Sequence, residues 1–294
     1  QGTIGGVYAE MAGEPKAVAE AIREHYLPEG GDDPLPRSLL ARLIGVIERA
    51  DKLVGYFEAG LAPTATRDPY ALRRAAIGLV RLLSAEDEPI PVPLEAILNQ
   101  VAEGWECLPP HLAIRKETVE AVRAFVHERI EGMAEALGAS RAAWRAALAA
   151  ACTRPLVQQR RLAAALDALR GTERGQAIAA ANKRVANILR QAGVEPDLAA
   201  GVDPELFRAE AEQALWQALR DLEDHWPEAP EAALEALATM REPIDRFFDE
   251  VLVLDPDPAV RANRLALLAR LRARFLQVAD VSLLAERRGL NADS

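Results

Sequence analysis

Aromatic residues make up only 5% of this chain of 294 residues, although half of it is hydrophobic. A β sandwich needs more Val, Thr and aromatic side chains than that, because strands pack through half-buried pleated faces. Cysteine is almost missing. Cys107 and Cys152 stand far apart and in no paired-ligand spacing, which weighs against structural zinc and points to a reducing, cytoplasmic setting. No apolar run reaches membrane-spanning length, and nothing resembles a signal peptide. A Gly-rich phosphate loop is also lacking, so nothing in the chain looks built to hold ATP. No repeat of fixed period appears, which argues against a solenoid.

What is present is Ala, Leu and Arg in helical periodicity, broken by Pro and Gly clusters. The pattern predicts an all-α fold, with helices over 14–27, 36–60, 69–84, 92–104, 116–137, 140–150, 154–170, 174–192, 204–225, 229–240, 242–252 and 258–277. Gly193 is a candidate helix C-cap, while Asp203-Pro204 and Asp257-Pro258 read as N-caps followed by proline at the first helical position. The length allows two cores of ordinary size. Acidic residues and prolines concentrate between 85 and 112, where a domain boundary is expected. The resulting division is 1–100, a helical connector over 101–165 in which Trp105, Phe125 and Trp144 are simplest as core, and a bundle over 166–294. The opening Gln1-Gly-Thr-Ile-Gly-Gly reads as the middle of a domain, so the expectation is a piece of a longer protein.

The formal charge of −10 is unpromising for a nucleic-acid partner until it is divided. Residues 151–190 carry eight Lys or Arg against two Asp or Glu; 191–256 carry four against seventeen; 257–294 carry seven against four. Two basic segments flank an acidic one, and brought together they would make a local positive face, which matters more than net charge. On the helix after Asp257, Leu265, Leu268, Leu271, Phe275 and Val278 form one apolar stripe, with Arg264 inside it. A guanidinium there needs a polar or anionic partner. A salt bridge to Asp or Glu and a contact to nucleic acid are equally weighted. On the helix over 174–192, Ile178, Val185, Ile188 and Leu189 form the buried stripe. Lys183, Asn187 and Arg190 share the opposite face, where two cations and an amide suit a phosphodiester chain and a base edge.

Several segments carry a resemblance. They are Phe247-Phe-Asp-Glu-Val-Leu-Val-Leu-Asp-Pro-Asp-Pro-Ala-Val-Arg-Ala-Asn-Arg-Leu-Ala-Leu-Leu268, Ala279-Asp-Val-Ser-Leu-Leu284 and Ala180-Ala-Asn-Lys-Arg-Val-Ala-Asn-Ile-Leu189. Toward the start lie Gln1-Gly-Thr-Ile-Gly-Gly, His25-Tyr-Leu-Pro28, Ala50-Asp-Lys-Leu-Val-Gly55 and Pro63-Thr-Ala-Thr-Arg-Asp-Pro-Tyr-Ala-Leu-Arg-Arg-Ala75. In this order they resemble the C-terminal part of the β chain of bacterial glycyl-tRNA synthetase, over most of 1–84 and 174–284. The C-terminal design is shared with arginyl-tRNA synthetase, so the N-terminal motifs make the choice. The chain departs from the family at Ala65-Thr66, where Gly-Ser is common, and at Tyr70, where Phe is usual.

The resemblance implies an HD-like helical domain followed by an anticodon-binding helical bundle. It implies glycine tRNA as one partner and the synthetase α chain as the other, in an assembly of two α and two β chains. ATP and Mg would be used by the α chain, leaving this chain without a cofactor and without catalytic residues. The glycine anticodon carries two cytosines, each offering an N4 donor and O2 and N3 acceptors. Candidate tRNA-binding residues are Lys183, Arg184, Asn187, Arg190, Phe247, Asp249, Arg261, Asn263 and Arg264. Arg67 and Arg73 join them on a basic loop-to-helix corner, where Asp68-Pro69 starts a helix whose N–H groups suit a phosphate; capping by Asp68 is the favoured plainer role. The rival reading is an HD-type metal-dependent phosphohydrolase with a helical regulatory domain. Active HD domains hold metal with a His…His-Asp…Asp set, but the dipeptide His-Asp occurs nowhere among His25, His111, His127 and His225. Asp51, in the position of the last aspartate, is expected to make a buried helix-to-loop contact, and no metal is expected.

Overall fold

The computed structural model describes residues 2–31, 33–107, 109, 112–150 and 153–285; His111 and Cys152 lie outside them. It is all-α, with no strand among the described residues. Two compact units are formed: Gln1–Leu137 with Thr153–Arg160, and Gly138–Cys152 with Arg161–Ser294. Residues 101–165, expected as a connector, are divided between them.

The first unit holds α1 (Gly2–Met11), α2 (Lys16–Glu24), α3 (Leu39–Glu58), α4 (Leu72–Leu83), α5 (Leu94–Trp105) and α6 (Lys116–Gly132). α3 starts because the Ser38 side chain accepts from the Ala41 N–H, and it buries Val46, Ala50, Leu53 and Val54 against Leu72, Leu79 and Leu83 of α4 and their neighbours. No helix was expected over α1, where three glycines fall within five residues. They serve close packing: a Cβ on Gly6 would lie 2.8 Å from the Ala19 carbonyl oxygen, and one on Gly2 2.9 Å from that of Arg23. α4 starts three residues later than expected. The Asp68 carboxylate accepts from the N–H groups of Leu72 and Arg73 at 2.8 and 3.0 Å, and Ala71 takes a left-handed φ of 56°.

Two arginines are interior parts of this unit. Arg49, 5% exposed, donates to the carbonyls of His25, Tyr26, Pro28 and Gly45. Burial lowers its pKa from the ordinary value, with Glu48 at 3.9 Å opposing, and the carbonyl dipoles take up its donors. Arg42 reaches Pro36 O and the backbone and side chain of Asp87. Between them they hold the loop before α3, which no local pattern would order.

The second unit holds α7 (Arg141–Leu148), most of α8 (Leu156–Arg170), α9 (Glu173–Ala192), α10 (Glu210–Asp224), α11 (Pro230–Ala238), α12 (Arg241–Glu250) and α13 (Pro258–Val278). Thr172 caps the start of α9, and Gly193 ends it with a φ of 66°, a conformation that suits glycine. Asp257 caps α13, with Pro258 at its first position. All five residues of the expected α13 stripe are buried; on α9, Ile178, Val185 and Leu189 are buried and Ile188 half-buried. Trp144 is fully buried, whereas Trp105 and Phe125 are half-buried. The helix expected over 204–225 is split. Asp203 caps only a short 3₁₀ turn, Pro204–Leu206, and the Glu212 carboxylate then accepts from the N–H groups of Arg208 and Ala209, setting a new start at Glu210.

Candidate nucleic-acid interface

Arg264 is where the two readings of the sequence part. It is 5% exposed. Its Nε and Nη2 donate to Glu212 Oε1 and Oε2 at 2.8 and 3.2 Å, and its Nη1 to Asp255 Oδ2 at 2.7 Å and Leu252 O at 2.8 Å. Burial pushes the Glu212 carboxyl up, but Arg264 and the two backbone N–H groups outweigh it and hold it below the ordinary carboxylate range. Asp255 is held low first by the Asp257 N–H and then by Arg264. Four of its five N–H donors are thus taken inside the fold, and its charge is met by two carboxylates, so the salt-bridge alternative is the one the structure has.

Neighbouring candidates share that fate. Asn263 is 4% exposed and exchanges two hydrogen bonds with the Asp203 backbone. Phe247 is fully buried and cannot stack on a base; Phe248, 8% exposed, packs edge-on against it. Arg261 is half-buried and donates to Asp255 O at 3.1 Å. Asp249 is exposed. It lines a cleft of about 810 Å³ in which Glu242, Asp245 and Glu250 join it against Arg174, Arg241 and Arg246. Arg241 and Arg246 are paired there with Asp245 and Glu250, leaving the cleft anionic. Farther along α13, Arg270 and Arg274 share Glu223, and Arg272 pairs with Asp280. Arg287 and Arg288 lie outside the described residues.

α9 differs. Arg184 and Arg190 are exposed and Lys183 half-exposed, and none has a carboxylate partner among the described residues. Arg190 donates to the Asn187 side-chain oxygen, and the Arg184 guanidinium lies 4.1 Å over the Phe248 ring. On the buried side of the helix, Asn182 accepts from Arg272. Neither residue was among the candidates that the sequence offered. A signal existed: Asn182 interrupts the apolar stripe of α9, as Arg272 and Arg264 interrupt that of α13.

In the first unit, Arg67 is exposed, and its backbone pairs with that of Thr64. Arg73 donates to Thr64 O at 2.5 Å and lies 3.9 Å from Asp68. With Asp68 on the N–H groups at the start of α4, a phosphate would have to displace a carboxylate there. Asp51 is exposed, not buried. It accepts from the Trp105 indole at 2.7 Å, joining two helices rather than a helix and a loop. His25 bonds Ile22 O. Among the described residues no three His, Cys, Asp or Glu converge as metal ligands, and no helix is long and apolar enough to cross a membrane.

Residues 1–149 match the family described as glycyl-tRNA synthetase beta subunit. The chain belongs to that family. Residues 178–280, from within α9 to the end of α13, match the DALR anticodon binding domain. Among relatives named glycine–tRNA ligase beta subunit, the chain is 38% identical over 291 residues to that of Pseudomonas aeruginosa strain LESB58. It is 39% identical over 289 to that of Psychromonas ingrahamii and 40% over 293 to that of Acidobacterium capsulatum. These matches span 97, 97 and 96% of the chain but only 41, 41 and 40% of the relatives. In this β-subunit chain, the cations of α9 and the ion-paired arginines of α13 therefore both lie within the DALR match.

Proposed function

We propose that this chain is the tRNA-capturing part of the β subunit of a bacterial glycine–tRNA ligase. It grips the anticodon arm of glycine tRNA so that the distant acceptor end reaches an α subunit, where ATP, Mg and glycine are handled. Its contribution to the reaction is positioning. The observation that carries the reading is the contrast within the DALR match: Lys183, Arg184 and Arg190 of α9 are left without carboxylates, in a chain whose acidic residues outnumber its basic ones. Cations grouped on one helix without carboxylates among the described residues are the footprint expected for a phosphate backbone. Assembly as two α and two β chains is part of the same proposal.

Filter binding of glycine tRNA across a salt series tests it. Affinity is expected to fall steeply with salt, because Lys and Arg contacts to phosphate release counterions. A flat salt response removes the α9 cations as the footprint. The chain alone is expected to show no glycine-dependent ATP–pyrophosphate exchange, and measurable exchange by the pure chain overturns the division of labour.

A further inference from the structure

Arg184 differs in its surroundings from the other arginines that lie over aromatic rings. Arg270, Arg274 and Arg129 do so too, at 5.2, 5.4 and 5.0 Å, but each is also held by a carboxylate. Arg220 stands 5.8 Å from Trp216, too far for flat packing. Arg184 is exposed, lies closest to its ring at 4.1 Å, and has no carboxylate among the described residues. Its support is anchored in the core: Phe248 packs edge-on against Phe247, with ring centroids 5.6 Å apart, and Phe247 is fully buried. The ring thus props a guanidinium whose side chain is otherwise exposed.

A planar, delocalised cation propped on a ring offers a stacking surface to an unpaired nucleobase, with its N–H edge free for phosphate. One turn along α9, Asn187 has its oxygen occupied by Arg190, so its NH₂ is what it offers. Lys183 adjoins Arg184 and supplies only donors. A base lying on Arg184 therefore meets donors, which match the O2 and N3 acceptors of an unpaired cytosine. We infer that Arg184, propped on Phe248, is a stacking shelf for an unpaired pyrimidine of bound RNA. This inference rests on the RNA-binding reading above, but adds a planar role that charge alone does not provide.

The test uses an RNA hairpin with the glycine anticodon in its loop and fluorescent pyrrolo-cytosine in place of one anticodon cytosine. Wild-type chain is expected to quench the probe on binding. Arg184→Lys keeps the charge and loses the plane. Quenching should disappear, and affinity should fall about tenfold, the scale of one base stack, with salt slope and melting temperature unchanged. Arg184→Ala should lose the same quenching and also reduce the salt slope by about one. Phe248→Leu, which removes the prop, should lose quenching while Arg184 is intact. If Arg184→Lys binds and quenches like wild type, the shelf is overturned and RNA binding stands. A loss that tracks a lower melting temperature makes Arg184 structural and also overturns it. No binding of the hairpin by wild type at low salt removes both readings.

Discussion

α9 and α13 lie side by side in one unit and carry the same kind of side chain to opposite ends. On α13, Arg264, Arg270, Arg272 and Arg274 each meet a carboxylate, from Glu212 and Glu223 of α10 or from Asp255 and Asp280 at the ends of α13 itself. On α9, Lys183, Arg184 and Arg190 have no carboxylate partner among the described residues, and both arginines are exposed. An arginine inside an apolar stripe has its partner chosen by the fold; one outside it is available to another molecule. Charge counted along the sequence cannot tell these apart, and burial can.

The contrast breaks most visibly at Glu212, which is fully buried. Glu212→Ala leaves Arg264 with Asp255 as its one carboxylate and frees the N–H groups of Arg208 and Ala209, and should cost about 3 kcal/mol in urea unfolding. An unchanged midpoint would mean that Arg264 is not a staple. Replacing Glu212 and Arg264 together by apolar residues should cost less than Glu212→Ala alone. Arg264→Ala is expected to lower the melting temperature, and to weaken glycine tRNA and an anticodon-changed tRNA alike. A selective loss for glycine tRNA at unchanged melting temperature would return Arg264 to the reading face.

Acid should act next. Glu212, Glu223 and Asp255 are held below the ordinary values of 4.5 and 3.8. Near those values the unfolded chain binds protons that the native chain refuses, so stability rises with pH there. It should be fully present above the ordinary carboxylate range and be lost as pH falls through it and below. Urea midpoints taken through that range check this, and a midpoint insensitive to acid would remove the carboxylates as the clamp.

Gly78→Ala probes the carbonyl-bound arginine. A Cβ there would lie 2.6 Å from Arg49 Nε, and the fourfold carbonyl contact leaves the guanidinium little freedom to retreat. Overpacking of this kind should cost about 1–3 kcal/mol, and a neutral thermal melt would show that the cage can give. The smallest effect belongs to the free cations. Lys183→Ala and Arg190→Ala should leave the melting temperature unchanged and each reduce the salt slope of RNA binding by about one.

Elements set by neighbouring residues were legible. Asp257-Pro258 starts α13 and Gly193 ends α9 as expected, because a cap needs only two or three residues to act. Elements set at a distance were not. α1 is helical because its glycines admit α2, and α10 starts at Glu210 because Glu212 is held by an arginine 52 residues away. At the candidate site, the outward cations of α9 could be read from helical spacing, whereas Phe247, expected at the RNA, is in the core. Which face of Phe248 remained open could not be read, since Arg184 reaches it across two elements.

The bond between Asn182 and Arg272 settles an angle. An apolar stripe resists withdrawal of a helix from its neighbours but only weakly resists its rolling about its own long axis. A directional polar contact inside the stripe supplies a stop. Successive helical residues turn by about 100°, so Asn182 lies almost diametrically across α9 from Arg184. Pinning one side of the cylinder thereby aims the other, and the azimuth of the outward cations is fixed by a group that never meets solvent.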